Sequence, residues 1–297
     1  MSLIYTTRRF VMTQILLRYR TLYQNNVTPR KNFQQKIPTY GYLNVPMLLG
    51  ALFWKSQTQQ SPDSKQAIIS SVLDHADELF ENGHYEECCQ YLKDCPDNTN
   101  AEIIWRICRA MYNMAKETKY EKAYKRKLIS EAYQIMSGIL QDNDENYAVH
   151  KWYALLLDAE STEIGIKERI KQLENVKKHM DLAVLYNPND ATTLYMLGEW
   201  CYQVSAMPWY QRKIAETLFA SPPHSTYEDA LEYFLKAEST RPRFYSLNLL
   251  RLGNCYLKLN KEDQAKYYLK LAASYPAKTN DDHQANKEAA ELLKKLK

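Results

Sequence analysis

From Lys65 to the C-terminus, apolar side chains recur every three or four residues in blocks of helical length, separated by short polar or turn-forming stretches. That period places one buried face on each of a series of helices. The blocks come in pairs: 65–82 with 85–93, 101–115 with 127–141, 147–159 with 164–186, and 245–259 with 261–274. Ala76, Leu79, Cys88 and Leu92 mark the packed faces of the first pair, and Trp105, Cys108, Ala132 and Met136 those of the second. Trp152, Leu155, Val176, Met180 and Ala183 mark the third. A final block, 282–296, stands alone and keeps Lys287, Glu288, Glu291, Lys294 and Lys295 for an outer face, as a helix capping the end of an array does.

One further unit, 198–242, shows what kind of pair this is. Leu194, Leu197, Gly198 and Cys201 give the large–large–small–large order of the first helix of a tetratricopeptide repeat. Tyr227, Ala230, Phe234, Ala237 and Pro242 give the second. Small residues allow two helices to approach closely, Phe234 fills the groove between them, and Pro242 cannot continue the helix. The 245–274 pair repeats the order with Leu249, Leu252, Gly253, Ala265, Leu269 and Pro276. Between the halves of the 198–242 unit lies an insertion, 202–224, too long for a turn and rich in Met207, Trp209, Tyr210 and Phe219. The expected fold is all-α: an α-solenoid of about five tetratricopeptide-like helix pairs with a C-terminal capping helix.

The first 62 residues are of another kind. They hold eight Lys and Arg and no acid, with Arg8, Arg9, Arg18 and Arg20 interrupting an apolar series. This is the composition of a mitochondrial targeting segment. Residues 37–54 are uncharged but broken by Pro38, Gly41, Pro46 and Gly50, which fits a shallow membrane contact, or a helix docked on the repeat domain, better than a full span. Residues 55–64 read as a linker. Two domains are expected: a leader over 1–64 and a repeat domain over 65–297. The whole chain carries a net charge of +4, so the part after residue 62 is at −4. A mildly acidic domain without a recognisable nucleic-acid motif disfavours nucleic acid as a partner.

Chemistry-bearing patterns are sparse. The six cysteines show no metal spacing and read as buried thiols. There is no phosphate-binding glycine loop, nucleophile elbow or zinc helix. His150 and His179 sit among packing residues and read as structural. No enzyme, metal or cofactor is expected. Two binding candidates remain. One is 116–127, KETKYEKAYKRK, whose Lys116, Lys119, Lys122, Lys125, Arg126 and Lys127 face two acids; if it is helical, Lys119, Lys122 and Arg126 share a face. The other is the apolar lining of the solenoid's concave side, with Met207, Trp209, Tyr210 and Phe219 placed to cover it.

The stretches HKWYALLLDAE (150–160), GIKERI (165–170), YNPNDAT (186–192), MPWYQR (207–212) and SPPHSTYE (221–228) resemble the regulator of microtubule dynamics family. The resemblance covers the chain from about Lys65 onward. It implies a helical repeat protein that associates with tubulin and microtubules, at spindle poles and in the cytoplasm. It also implies a place at mitochondria for members with an N-terminal leader. A membrane-anchored branch of the family works at organelle contacts and binds phospholipid in its repeat domain. A phospholipid or a peptide in the concave groove is therefore the alternative to microtubules. No residue-level site comes with the resemblance.

Overall fold

The computed structural model describes residues 62–97 and 99–296, and the expectations placed on the leader and on 37–54 lie outside them. The described residues form twelve α-helices and no strand. Five helix pairs follow one another. They are α1 (Pro62–Glu81) with α2 (Tyr85–Lys93), α3 (Ala101–Lys116) with α4 (Lys122–Ile139), and α5 (Tyr147–Ile164) with α6 (Ile166–Tyr186). Then come α7 (Ala191–Ser205) with α9 (Tyr227–Thr240), and α10 (Ser246–Lys258) with α11 (Glu262–Ala273). The insertion contributes α8 (Trp209–Leu218), which packs on α6, and α12 (Asn280–Lys295) closes the array against α10 and α11. First helices of successive pairs also touch: α1 meets α3, α3 meets α5, α7 meets α10.

Local signals set the helix starts. Asn100, Asn146 and Asp190 each accept a backbone N–H of the first turn of α3, α5 and α7. Thr226 with Asp229 and Thr279 with Asp282 form reciprocal capping boxes on α9 and α12. Two boundaries differ from the expected ones. Helix α4 begins at Lys122 rather than 127, because the run KAYKRK consists of good helix formers and its charges do not interrupt the ladder. Helix α5 runs on to Ile164 and stops at Gly165, whose φ of 141° is open only to glycine.

The core follows the small–large complementarity of the repeats. Phe234 is fully buried in the groove between α7 and α9. A Cβ on Gly198 would stand 2.6 Å from the Phe234 ring, and one on Gly253 2.6 Å from Leu269. Ala230 and Ala265 are fully buried at the matching close approaches. One continuous apolar cluster runs through the first four pairs; a second, built from Leu249, Leu250, Leu269, Ala272, Ala285 and Ala289, ties the last pair to α12.

Candidate functional site

The basic segment does not form one helical face. Lys116 ends α3, residues 117–121 turn, and α4 starts at Lys122, so Lys119 stands off the helix that carries Lys122, Lys125, Arg126 and Lys127. The expected common face of Lys119, Lys122 and Arg126 is therefore broken by the turn. Several of its charges are already engaged. Lys116 pairs with Asp281 at the start of α12, and Lys119 lies 3.1 Å from Glu117. Arg126 donates from Nε to Glu163 at the end of α5, at 3.1 Å. Lys122 and Lys127 are exposed and Lys125 half-buried, and none of the three enters an ion pair among the described residues. The first turn of α4 contains no acid.

The insertion sorts its four candidates into two groups. Met207 and Phe219 pack against the core with Ile214 and Leu218, and Ala215 is buried. Trp209 and Tyr210, at the first turn of α8, turn outward: Trp209 is 78% exposed and Tyr210 49%. Their rings meet edge to face.

Aromatic rings and ion pairs also join neighbouring helices of the array. The Tyr112 ring meets Trp152 edge to face, as Tyr195 does Tyr245. Arg251 makes a paired contact to Glu199, at 2.6 and 2.9 Å, and lies over the Tyr202 ring. Arg169 bridges Asp158 and Gln203. Burial pushes the Tyr195 and Tyr112 hydroxyls up, Tyr112 to about 12, so both stay protonated. A separate cleft of about 580 Å³ opens between α11 and the start of α12, lined by Phe244, Leu249, Tyr275 and Pro276 with Arg243 and Lys278.

The two buried histidines pair. His150 Nε2 lies 2.7 Å from the Asp144 carbonyl and must donate to it. His150 Nδ1 is then the acceptor for His179 Nδ1–H at 2.9 Å. Burial first, then the His150 and Lys178 charges, push His179 down to about 3, so the pair is neutral at pH 7 and has no proton to exchange there. The unfolded imidazole takes a proton below its usual value near 6.5 while the folded one does not, so stability present above that value is lost as pH falls. Urea unfolding should show about 1 kcal/mol lost between pH 6.5 and 5.5 through His179, and a His179→Phe chain should be flatter over that window. An unchanged slope in the variant would show that His179 is not held neutral.

Two groupings escaped sequence reasoning. Asp77 on α1 binds Arg106 and Arg109 on α3, at separations where no local pattern announces a pair; only Glu102 with Arg106, four apart, was visible as a helix pair. Ile164 and Ile166 stand exposed on either side of Gly165, a signal present in the sequence as a glycine between two large apolar residues.

Comparison with known proteins sets this geometry in context. A family model described as regulator of microtubule dynamics protein 1-3 matches residues 72–297. The chain is similar to regulator of microtubule dynamics protein 1 of Pongo abelii, 42% identical over 227 residues, covering 76% of this chain and 72% of the relative. It is also similar to that of Bos taurus, 43% identical over 226 residues, covering 76% and 71%. Regulator of microtubule dynamics protein 3 of Mus musculus is 33% identical over 238 residues, 79% of this chain and 50% of the relative. Among solved structures, a tetratricopeptide-repeat protein of Thermus thermophilus superposes with a TM-score of 0.52 at 13% identity, over 75% of this chain and 98% of that one. That likeness shows the fold.

Proposed function

The chain belongs to the regulator of microtubule dynamics family, and on that premise we propose that it is a non-enzymatic interaction protein that binds microtubules through the basic segment 116–127. The observation that carries this reading is the start of α4. Lys122 and Lys125 occupy the first turn of a helix whose only acid at that end is the N-cap Glu121, and its side chain caps no backbone N–H. Cations at a helix N-terminus oppose the helix dipole at a cost of roughly 0.3–1 kcal/mol each. Charges kept where they weaken their own helix fit a task outside it. Tubulin presents an acidic surface, and the free ammonium groups of Lys122, Lys125 and Lys127 suit it. The part of the chain after residue 62 is at −4, so attraction is local to this patch rather than a property of net charge. In the same reading the acid-free leader directs the chain to mitochondria, and microtubule contact gives it its spindle and cytoskeletal association.

The test is co-sedimentation of the full chain with microtubules at low and at physiological salt. Exposed charge contacts contribute roughly 0.2–1 kcal/mol each, so changing Lys119, Lys122, Lys125 and Arg126 together to Gln should remove most pelleting while circular dichroism stays the same. Salt should weaken the wild type in the same direction. A variant that pellets like the wild type would remove the segment from the contact.

A further inference from the structure

Seven large apolar or aromatic side chains stand exposed among the described residues, and five of them, Tyr124, Ile164, Ile166, Trp209 and Tyr210, occur where a first helix ends and the next helix begins. These turns lie on one edge of the repeat domain. Arg126 in α4 bonds to both the carboxylate and the carbonyl of Glu163 at the end of α5. Arg169 in the first turn of α6 bonds to Gln203 in the last turn of α7, at 2.7 Å. Trp209 follows the end of α7 by four residues, and α8 packs on α6. The start of α4, the Ile164–Gly165–Ile166 tip and the start of α8 are thus neighbours in space although 85 residues separate Tyr124 from Trp209.

Each of the three tips is net basic. Residues 116–127 carry six bases and two acids, 163–171 three and two, 209–218 two and one. The acids of the last two are spoken for: Glu163 by Arg126, Glu168 by Lys171, Glu216 by Lys213. Lys122, Lys125, Lys127 and Lys167 remain outside the ion pairs of the described residues. The tips project singly from separate turns, with Ile164 67% exposed. They are not the walls of a pocket shaped for one side chain.

We propose that this edge docks on an anionic bilayer surface, with Ile164, Ile166, Trp209 and Tyr210 entering the interface and the lysines beside them meeting lipid phosphates. Trp and Tyr rings are at home at the boundary of headgroups and acyl chains, where one end is apolar and the other wet. Isoleucines at a turn contribute through burial of their exposed area. Surface lysines are drawn to the negative potential of an anionic leaflet. A bilayer accepts separated tips without fixed complementarity, whereas a protein partner with a set of pockets needs a contiguous face. The basic segment is common to this surface and to the microtubule contact proposed above; the isoleucines and the Trp–Tyr pair belong to this surface alone.

The experiment uses the full chain with phosphatidylcholine vesicles, with and without phosphatidylserine. The variant is Ile164→Ser, Ile166→Ser, Trp209→Ser and Tyr210→Ser together, which leaves every charge in place. The wild type should float with the serine-lipid vesicles and much less with phosphatidylcholine alone. The variant should bind about tenfold more weakly or worse, in keeping with the loss of four interfacial side chains, while pelleting with microtubules like the wild type. In the wild type, bromine-labelled lipid should quench tryptophan emission by a component that a Trp209→Tyr chain lacks. This second reading holds even if the leader also binds vesicles. Equal flotation of wild type and variant together with no loss of quenching in Trp209→Tyr would overturn the proposal. So would a variant that loses microtubule pelleting and keeps vesicle binding, since the edge would then be a protein contact. Failure of the microtubule reading alone shows as no pelleting of either chain and leaves the vesicle result standing.

Discussion

Phe234→Ala should cost about 3–5 kcal/mol, the range for removing a large aromatic side chain from a closed core. The ring is fully buried. It sits over Gly198 on α7 and meets Tyr195 at a centroid distance of 5.7 Å. Gly198→Ala attacks the same contact from the other side. Its Cβ would stand 2.6 Å from two ring carbons, and the ring cannot swing away as a flexible chain end would. Overpacking costs about 1–3 kcal/mol, from which about 0.5–1 kcal/mol is returned because alanine favours helix over glycine. The two sites are therefore coupled. On a Phe234→Leu background the Gly198→Ala change should cost less than on the wild type, by an interaction of about 0.5–3 kcal/mol. Denaturant midpoints of the four chains measure it. Simple additivity would mean that Gly198 and Phe234 do not touch.

That contact was legible in the sequence because both partners lie inside one repeat, at offsets that only this helix pairing requires. Gly253 with Leu269 and Ala265 in the last pair were legible for the same reason. The insertion was legible as an interruption but not as a helix. Its apolar residues, Met207, Ile214, Ala215, Leu218 and Phe219, follow helical spacing only if Trp209 and Tyr210 are set aside as outward-facing. A period cannot say which of two aromatic sets faces the core. The basic segment was legible as charge and misplaced as geometry: helix propensity carried α4 back to Lys122, and the turn at 117–121 left Lys119 outside it. The edge that gathers Tyr124, Ile164, Ile166, Trp209 and Tyr210 was not legible at all. Its members come from three repeat units, and their adjacency exists only once the pairs are stacked.

Asp77→Asn should cost about 2–3 kcal/mol. This is below the 3–5 kcal/mol of a fully buried pair, because the carboxylate keeps about a third of its exposure and water screens it. The loss falls mainly on its partners. Arg106 and Arg109 keep only 12% and 15% of their side-chain exposure. Arg106 lies over the Trp105 ring at 4.1 Å, Arg109 over Phe80 at 3.8 Å. With the aspartate neutralised, two guanidinium groups repel across a half-buried space, and Glu102 remains to balance only Arg106. Acid should erase the difference between the two chains. Burial acts to raise the Asp77 carboxyl, but the hydrogen bonds and charges of Arg106 and Arg109 outweigh it and hold the folded value below 3.8. A lowered folded value means that the contribution is complete above the unfolded value and disappears as pH falls through the folded one. The stability gap between wild type and Asp77→Asn should therefore be constant from pH 7 to pH 5, and close only below about pH 4. Urea unfolding across that range checks it. A gap that already closes between pH 7 and 5 would show that the aspartate is not held ionised by the two arginines.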